Sequence, residues 1–139
     1  MRLKSVFISQ YKNLRNFSLD FDGSSFLDVF VGKNGSGKSN LFEALIEIFR
    51  HLDESRTAAV AFPFDYRIHY EIDGTETSIE WKNGKLTVNG RTRRTTTNID
   101  LPENVLIYYS GHNPTVNELE SRFRKFRQGV KWRFCSPAA

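Results

Sequence analysis

The sequence holds a single cysteine, Cys135, which excludes an internal disulfide and any metal site built from cysteines alone. Such sparing use suits a reducing compartment, and a cytoplasmic setting is expected. Long apolar runs are also missing: none approaches the roughly 20 residues that a membrane-spanning helix needs, so no membrane partner is expected. The opening MRLKSVFISQYKN starts with basic residues, but its apolar segment is short and mixed with polar ones. It reads as a strand rather than a secretory leader. Internal repeats and low-complexity linkers are absent, and 139 residues are enough for one compact unit with a real core.

Lysine and arginine total 20 against 16 acidic residues, a formal net charge of +4. That balance permits contact with nucleic acid without demanding it, because a solvated basic surface has the same composition.

Local patterns divide the chain. Leu3 to Ser9 and Phe17 to Phe21 carry β-prone apolar residues around the polar QYKNLRN and read as an opening antiparallel pair. Leu27 to Val31 is a short apolar run suited to a buried central strand. From Ser39 to about Leu52 the residues Leu41, Leu45, Ile48 and Leu52, with Phe42 and Phe49 beside them, recur at spacings of three and four. That spacing predicts an amphipathic helix. Between Tyr66 and Arg94 polar and apolar residues alternate, broken by Asp73-Gly74, Asn83-Gly84 and Asn89-Gly90, dipeptides that supply the positive φ of tight hairpins. This predicts an antiparallel meander. NVLIYYSG reads as another strand, Val116 to Val130 as a second amphipathic helix, and the final CSPAA carries no structural signal.

Between the central strand and the first helix lies Gly32, Lys33, Asn34, Gly35, Ser36, Gly37, Lys38, Ser39, a complete Walker A pattern. Glycines let successive N–H groups turn inward on phosphate oxygens, and the helix that follows adds the positive end of its dipole. Lys38 is placed to reach the β- and γ-phosphates, and the Ser39 hydroxyl to ligate a bridging Mg2+. The Asn-Lys-x-Asp motif by which small G proteins select guanine does not occur here, so ATP is favoured over GTP.

ISQYKNLRNFSLDF followed by VFVGKNGSGKSNLFEAL resembles the N-terminal lobe of the RecF and SMC (structural maintenance of chromosomes) ATPases. It is also similar to the overcoming-lysogenization (OLD) and anti-phage ATPases. Asn40 after the serine is a shared detail, and the meander follows the first helix in the family's order. The resemblance implies an α/β fold, a P-loop NTPase lobe of ABC/SMC type with an antiparallel β-meander, incomplete as it stands. On that reading residues 1–54 form the P-loop core, 55–104 the meander, 105–133 a strand and helix, and 134–139 a tail. The family keeps a basic residue near the nucleotide where this chain has Lys12, which is otherwise an exposed turn lysine. Where the family places a glutamine that contacts Mg2+ and water, this chain reads Ser110, Gly111, His112, Asn113, making His112 or Asn113 the candidate substitutes.

Hydrolysis in that family also requires four apolar residues ending in Asp-Glu, and ATP-bound heads pair through a Ser-Gly-Gly signature. Neither occurs in these residues. The expectation is therefore an ATP- and Mg2+-binding lobe that works with a C-terminal lobe, dimerises or oligomerises when complete, and acts in DNA maintenance or phage defence, with DNA or an effector protein as further partners. A non-hydrolysing nucleotide sensor or assembly module is the alternative. Two basic groups could contact phosphates or simply be solvated: Arg91, Arg93 and Arg94 after a hairpin, and Arg122, Arg124, Lys125, Arg127, Lys131 and Arg133 around the last helix. There Phe123 and Phe126 belong to the packing stripe, with Trp132 and Phe134 interleaved.

Overall fold

The computed structural model describes residues 1–21, 38–108 and 131–135. The chain forms two compact units, Met1–Asp100 and Leu101–Ala139, where the sequence suggested one. The predicted strand at Leu27 to Val31 and the predicted helix at Val116 to Val130 lie outside the described residues.

The first unit is built on a six-stranded sheet. Its strands are β1 (Arg2–Tyr11), β2 (Leu14–Asp20), β3 (Tyr66–Ile72), β4 (Thr75–Lys82), β5 (Lys85–Val88) and β6 (Arg91–Arg93), in the order β2-β1-β3-β4-β5-β6. Every neighbouring pair is antiparallel. The three hairpin dipeptides behave as their chemistry dictates, with φ of 50° and 80° at Asp73-Gly74, 50° and 75° at Asn83-Gly84, and 49° and 80° at Asn89-Gly90. Two successive positive φ values match the right-handed twist of the flanking strands. The β1–β3 pairing, with Val6 opposite Ile68 and Ile8 opposite Tyr66, was not legible in the sequence. It joins the opening hairpin to the meander, so β1 and β2 share one sheet with β3 to β6.

Alternation along each strand gives this sheet one apolar face. Ile8, Tyr66, Trp81 and Leu86 lie in one cross-strand row, and Val6, Ile68, Ile79 and Val88 in the next; all eight are buried. The other face is polar: Arg67 pairs with Glu80 at 3.7 Å and lies over the Phe7 ring, and Lys4 pairs with Glu71 and Glu76.

Helix α1 (Lys38–Glu54) packs on the apolar face. Leu41, Ala44, Ile48, His51 and Leu52 are buried, close to the predicted stripe, while Phe42 remains 51% exposed. His51 sits edge-on to Tyr66 and Trp81 and stacks on Phe62 at 4.5 Å. The segment after β6 returns to the C-terminal end of the helix. Thr96 donates its hydroxyl to the Leu52 carbonyl at 2.6 Å, and its N–H bonds the Ser55 carbonyl. A free helix-end carbonyl is thereby satisfied.

In the second unit β7 (Asn104–Tyr108) pairs with β8 (Lys131–Cys135) in parallel. Parallel strands cannot be joined by a tight hairpin, which is consistent with the wide separation of β7 and β8 in the sequence. Strand β8 corrects two expectations: Lys131, Trp132 and Arg133 lie on a strand rather than around a helix, and Phe134 and Cys135 extend that strand rather than begin a tail. Five residues with two aromatics between basic ones alternate with period two, a signal too short to outweigh the helical spacing before it. Among the described residues no helix is long and apolar enough to cross a membrane.

Candidate functional site

Helix α1 is described from Lys38, one residue before Ser39, where the sequence pattern predicts the change from loop to helix. Its first turn carries no acidic residue, so its free N–H groups and positive dipole end are not occupied by a carboxylate of that turn. Ser39 is exposed and Asn40 half-buried. This arrangement fits an anion, and a hydroxyl at the second helical position fits a cation held beside it. Gly32, Lys33, Asn34, Gly35, Ser36 and Gly37, the Lys38 side chain, and His112 and Asn113 lie outside the described residues.

The hairpin turn between β1 and β2 is brought onto the same end of α1. Tyr11 and Leu14 close the ladder, leaving Lys12 and Asn13 at the tip, and Lys12 adopts a left-handed φ of 50°, sparsely used by residues other than glycine. Lys12 Nζ donates to Glu43 Oε2 at 2.6 Å, and the Tyr11 hydroxyl donates to the same oxygen at 3.2 Å. The Asn40 side-chain amide donates to Asn13. Lys12 is thus neither a free turn lysine nor remote from the Walker helix.

No sequence motif marks Glu43. Its side chain is 4% exposed, against 44% for Lys12, so one partner is buried and the other still wet. An unpaired carboxylate at that depth would cost several kcal/mol, which makes Lys12 and Tyr11 structural as well as surface groups. The available signal was a lone acid between Leu41 and Ala44 on the buried side of the helix. Beside the turn an open groove of about 610 Å³ is lined by Ser9, Gln10, Tyr11, Lys12, Pro63, Phe64 and Asp65.

The structure divides the first basic group. Arg91 opposes Val88 and Arg93 opposes Leu86. The Arg93 guanidinium donates to the Thr97 carbonyl at 2.8 Å, tying down the segment that caps α1. Arg91 and Arg94 are exposed. Lys82 and Lys85 stand directly opposite each other across the β4–β5 turn, which adds two exposed cations near that edge. Of the second group, Lys131 and Arg133 occupy paired positions on β8; Arg122, Arg124, Lys125 and Arg127 lie outside the described residues.

Comparison with known proteins agrees with this geometry. Residues 1–124 match the family described as an AAA ATPase domain. The chain is 26% identical over 122 residues to the DNA replication and repair protein RecF of Enterococcus faecalis, covering 88% of this chain and 27% of that protein. It is 43% identical over 60 residues to RecF of Leptospira interrogans, covering 40% of this chain and 16% of the relative. RecF of Listeria welshimeri is 39% identical over 46 residues, 33% of this chain and 12% of the relative. The matched region thus spans little more than a quarter of these relatives at most.

Proposed function

The chain belongs to the AAA ATPase domain family, and on that premise we propose that it binds Mg-ATP through residues 32–39 as the N-terminal lobe of a RecF/SMC-like head of ABC type. The observation that carries this reading is that α1, described from Lys38 and without an acid in its first turn, carries Lys38 and Ser39, the last two residues of a complete Walker A sequence, in that turn. Main-chain N–H groups of the Gly32 to Gly37 loop would hold the phosphates, and Lys38 would balance their charge. Ser39 would hold the Mg2+ that neutralises the β- and γ-oxygens when bound. Lys12, carried to this end of the helix by Glu43, adds a cation from the β1–β2 turn.

The likeness to RecF supports work on DNA in a cytoplasmic setting, in replication and repair or in phage defence. ATP-driven pairing of heads and contact with an effector protein belong to the same proposal. A second reading has its own support: no apolar run ending in Asp-Glu occurs in these residues, which favours a nucleotide-binding sensor or assembly module that does not hydrolyse ATP without another lobe.

Thermal unfolding with and without Mg-ATP tests the core of this. Nucleotide at a hundred times its dissociation constant stabilises a folded binder by about 2.7 kcal/mol. The wild-type chain is expected to show that shift, and Lys38→Ala to lose it. An equal shift in both would place binding elsewhere.

A further inference from the structure

We propose that Glu43 is a positioning residue: it anchors Lys12, and with it the β1–β2 turn, at the phosphate-facing end of α1. The proposal rests on the nucleotide reading above and assigns a role to a residue that no motif in the chain singles out.

Two points of attachment on one helix face support it. Asn40 and Glu43 are three residues apart on α1, so their side chains rise from the same side of its first two turns. Asn40 bonds Asn13 and Glu43 bonds both Lys12 and Tyr11, so every residue from 11 to 13 is held to the helix through its side chain. The helix cannot be rotated or advanced without breaking these bonds.

The charge arrangement gives the anchor its purpose. A lysine has four rotatable side-chain bonds, and an untethered turn lysine would lose that freedom on meeting an anion. Here the freedom is already lost, because Nζ lies 2.6 Å from a carboxylate oxygen that is nearly inaccessible to water. An ammonium has three donors. With its side chain 44% exposed, Lys12 can keep Glu43 and still donate to a phosphate oxygen. Lys12 also offsets a buried negative charge that would otherwise repel a polyphosphate one turn away.

A double-mutant cycle on Mg-ATP affinity in the full chain tests this. Glu43→Gln, which keeps the shape and an acceptor for Tyr11, is expected to weaken binding about tenfold, and Lys12→Ala by a similar factor. The double variant is expected to bind no more weakly than Lys12→Ala alone, because Glu43 acts through Lys12. Glu43→Asp, which keeps the charge but is too short to reach Nζ, should weaken binding as Glu43→Gln does. Unchanged or tighter binding by Glu43→Gln, or factors that multiply in the double variant, would overturn the role of Glu43 while leaving nucleotide binding intact. Should Glu43→Gln fail to fold, Lys12→Gln, which removes the positive charge but leaves an amide that can still donate to the buried Glu43 carboxylate, decides: unchanged ATP affinity overturns the proposal. A wild-type chain that binds no Mg-ATP would overturn the nucleotide reading itself, and the anchor with it.

Discussion

His51 Nδ1 lies 2.8 Å from the Tyr66 hydroxyl, and His51 Nε2 lies 2.7 Å from the Val60 carbonyl. The carbonyl can only accept, so Nε2 carries the proton and Nδ1 accepts from Tyr66. Both ring nitrogens are satisfied with the imidazole neutral, in a pocket where burial holds the Tyr66 phenol well above its usual range.

That pairing predicts an acid-sensitive fold. Burial first, and the nearby Arg50 charge in addition, push the His51 pKa down from 6.5 to about 4, against the Val60 bond that favours the charged form. The unfolded chain therefore binds more protons than the folded one between these values. Stability is intact above pH 6.5 and falls as pH drops toward 4, by about 3 kcal/mol in total. Denaturant unfolding between pH 7 and 5 should show this slope, and His51→Gln should flatten it. An unaltered slope in the variant would assign the effect to other groups.

Thr96 ties a second buried group to the same helix. Its side chain is fully buried, and its hydroxyl satisfies the Leu52 carbonyl. Thr96→Val keeps the shape and leaves that acceptor without the donor, at an expected cost of about 1–3 kcal/mol. Thr97→Val, on the exposed neighbour, should cost less; equal destabilisation in urea unfolding would argue against the capping role.

At the nucleotide loop, Ser39→Ala is expected to remove the dependence of ATP affinity on Mg2+ while retaining binding in its absence. The wild-type chain by itself is expected to release no phosphate steadily, since no Asp-Glu pair follows an apolar strand within these residues to position water. Turnover by purified protein that Ser39→Ala abolishes would show that another group supplies that chemistry.

For DNA, the exposed Arg91 and Arg94 are the meander's candidates, whereas Arg93 is engaged with Thr97. Charge reversal at Arg91 and Arg94 should weaken binding across all sequences. For each phosphate no longer neutralised, the dependence of log affinity on log salt should flatten by about 0.9 on duplex DNA. Arg93→Ala should act chiefly on stability. Affinity indifferent to salt, or to the reversals, would take the meander edge out of the interface.

What the sequence determined by itself is local. Asn-Gly and Asp-Gly turns announce their hairpins because positive φ is a property of two adjacent residues, and helix α1 announces itself because its period repeats over four turns. The Walker loop is legible for the same reason: its chemistry lies in eight consecutive residues. Only the tertiary structure decided what depends on distant partners. The β1–β3 register joins residues some 60 apart, and burial of Glu43 creates the need for a cation that Lys12 meets from 31 residues away. Desolvation makes His51 a neutral core group, and one carbonyl, that of Thr97, separates Arg93 from the arginines beside it. Burial and pairing across the chain set these roles, and neither is a property of a short segment.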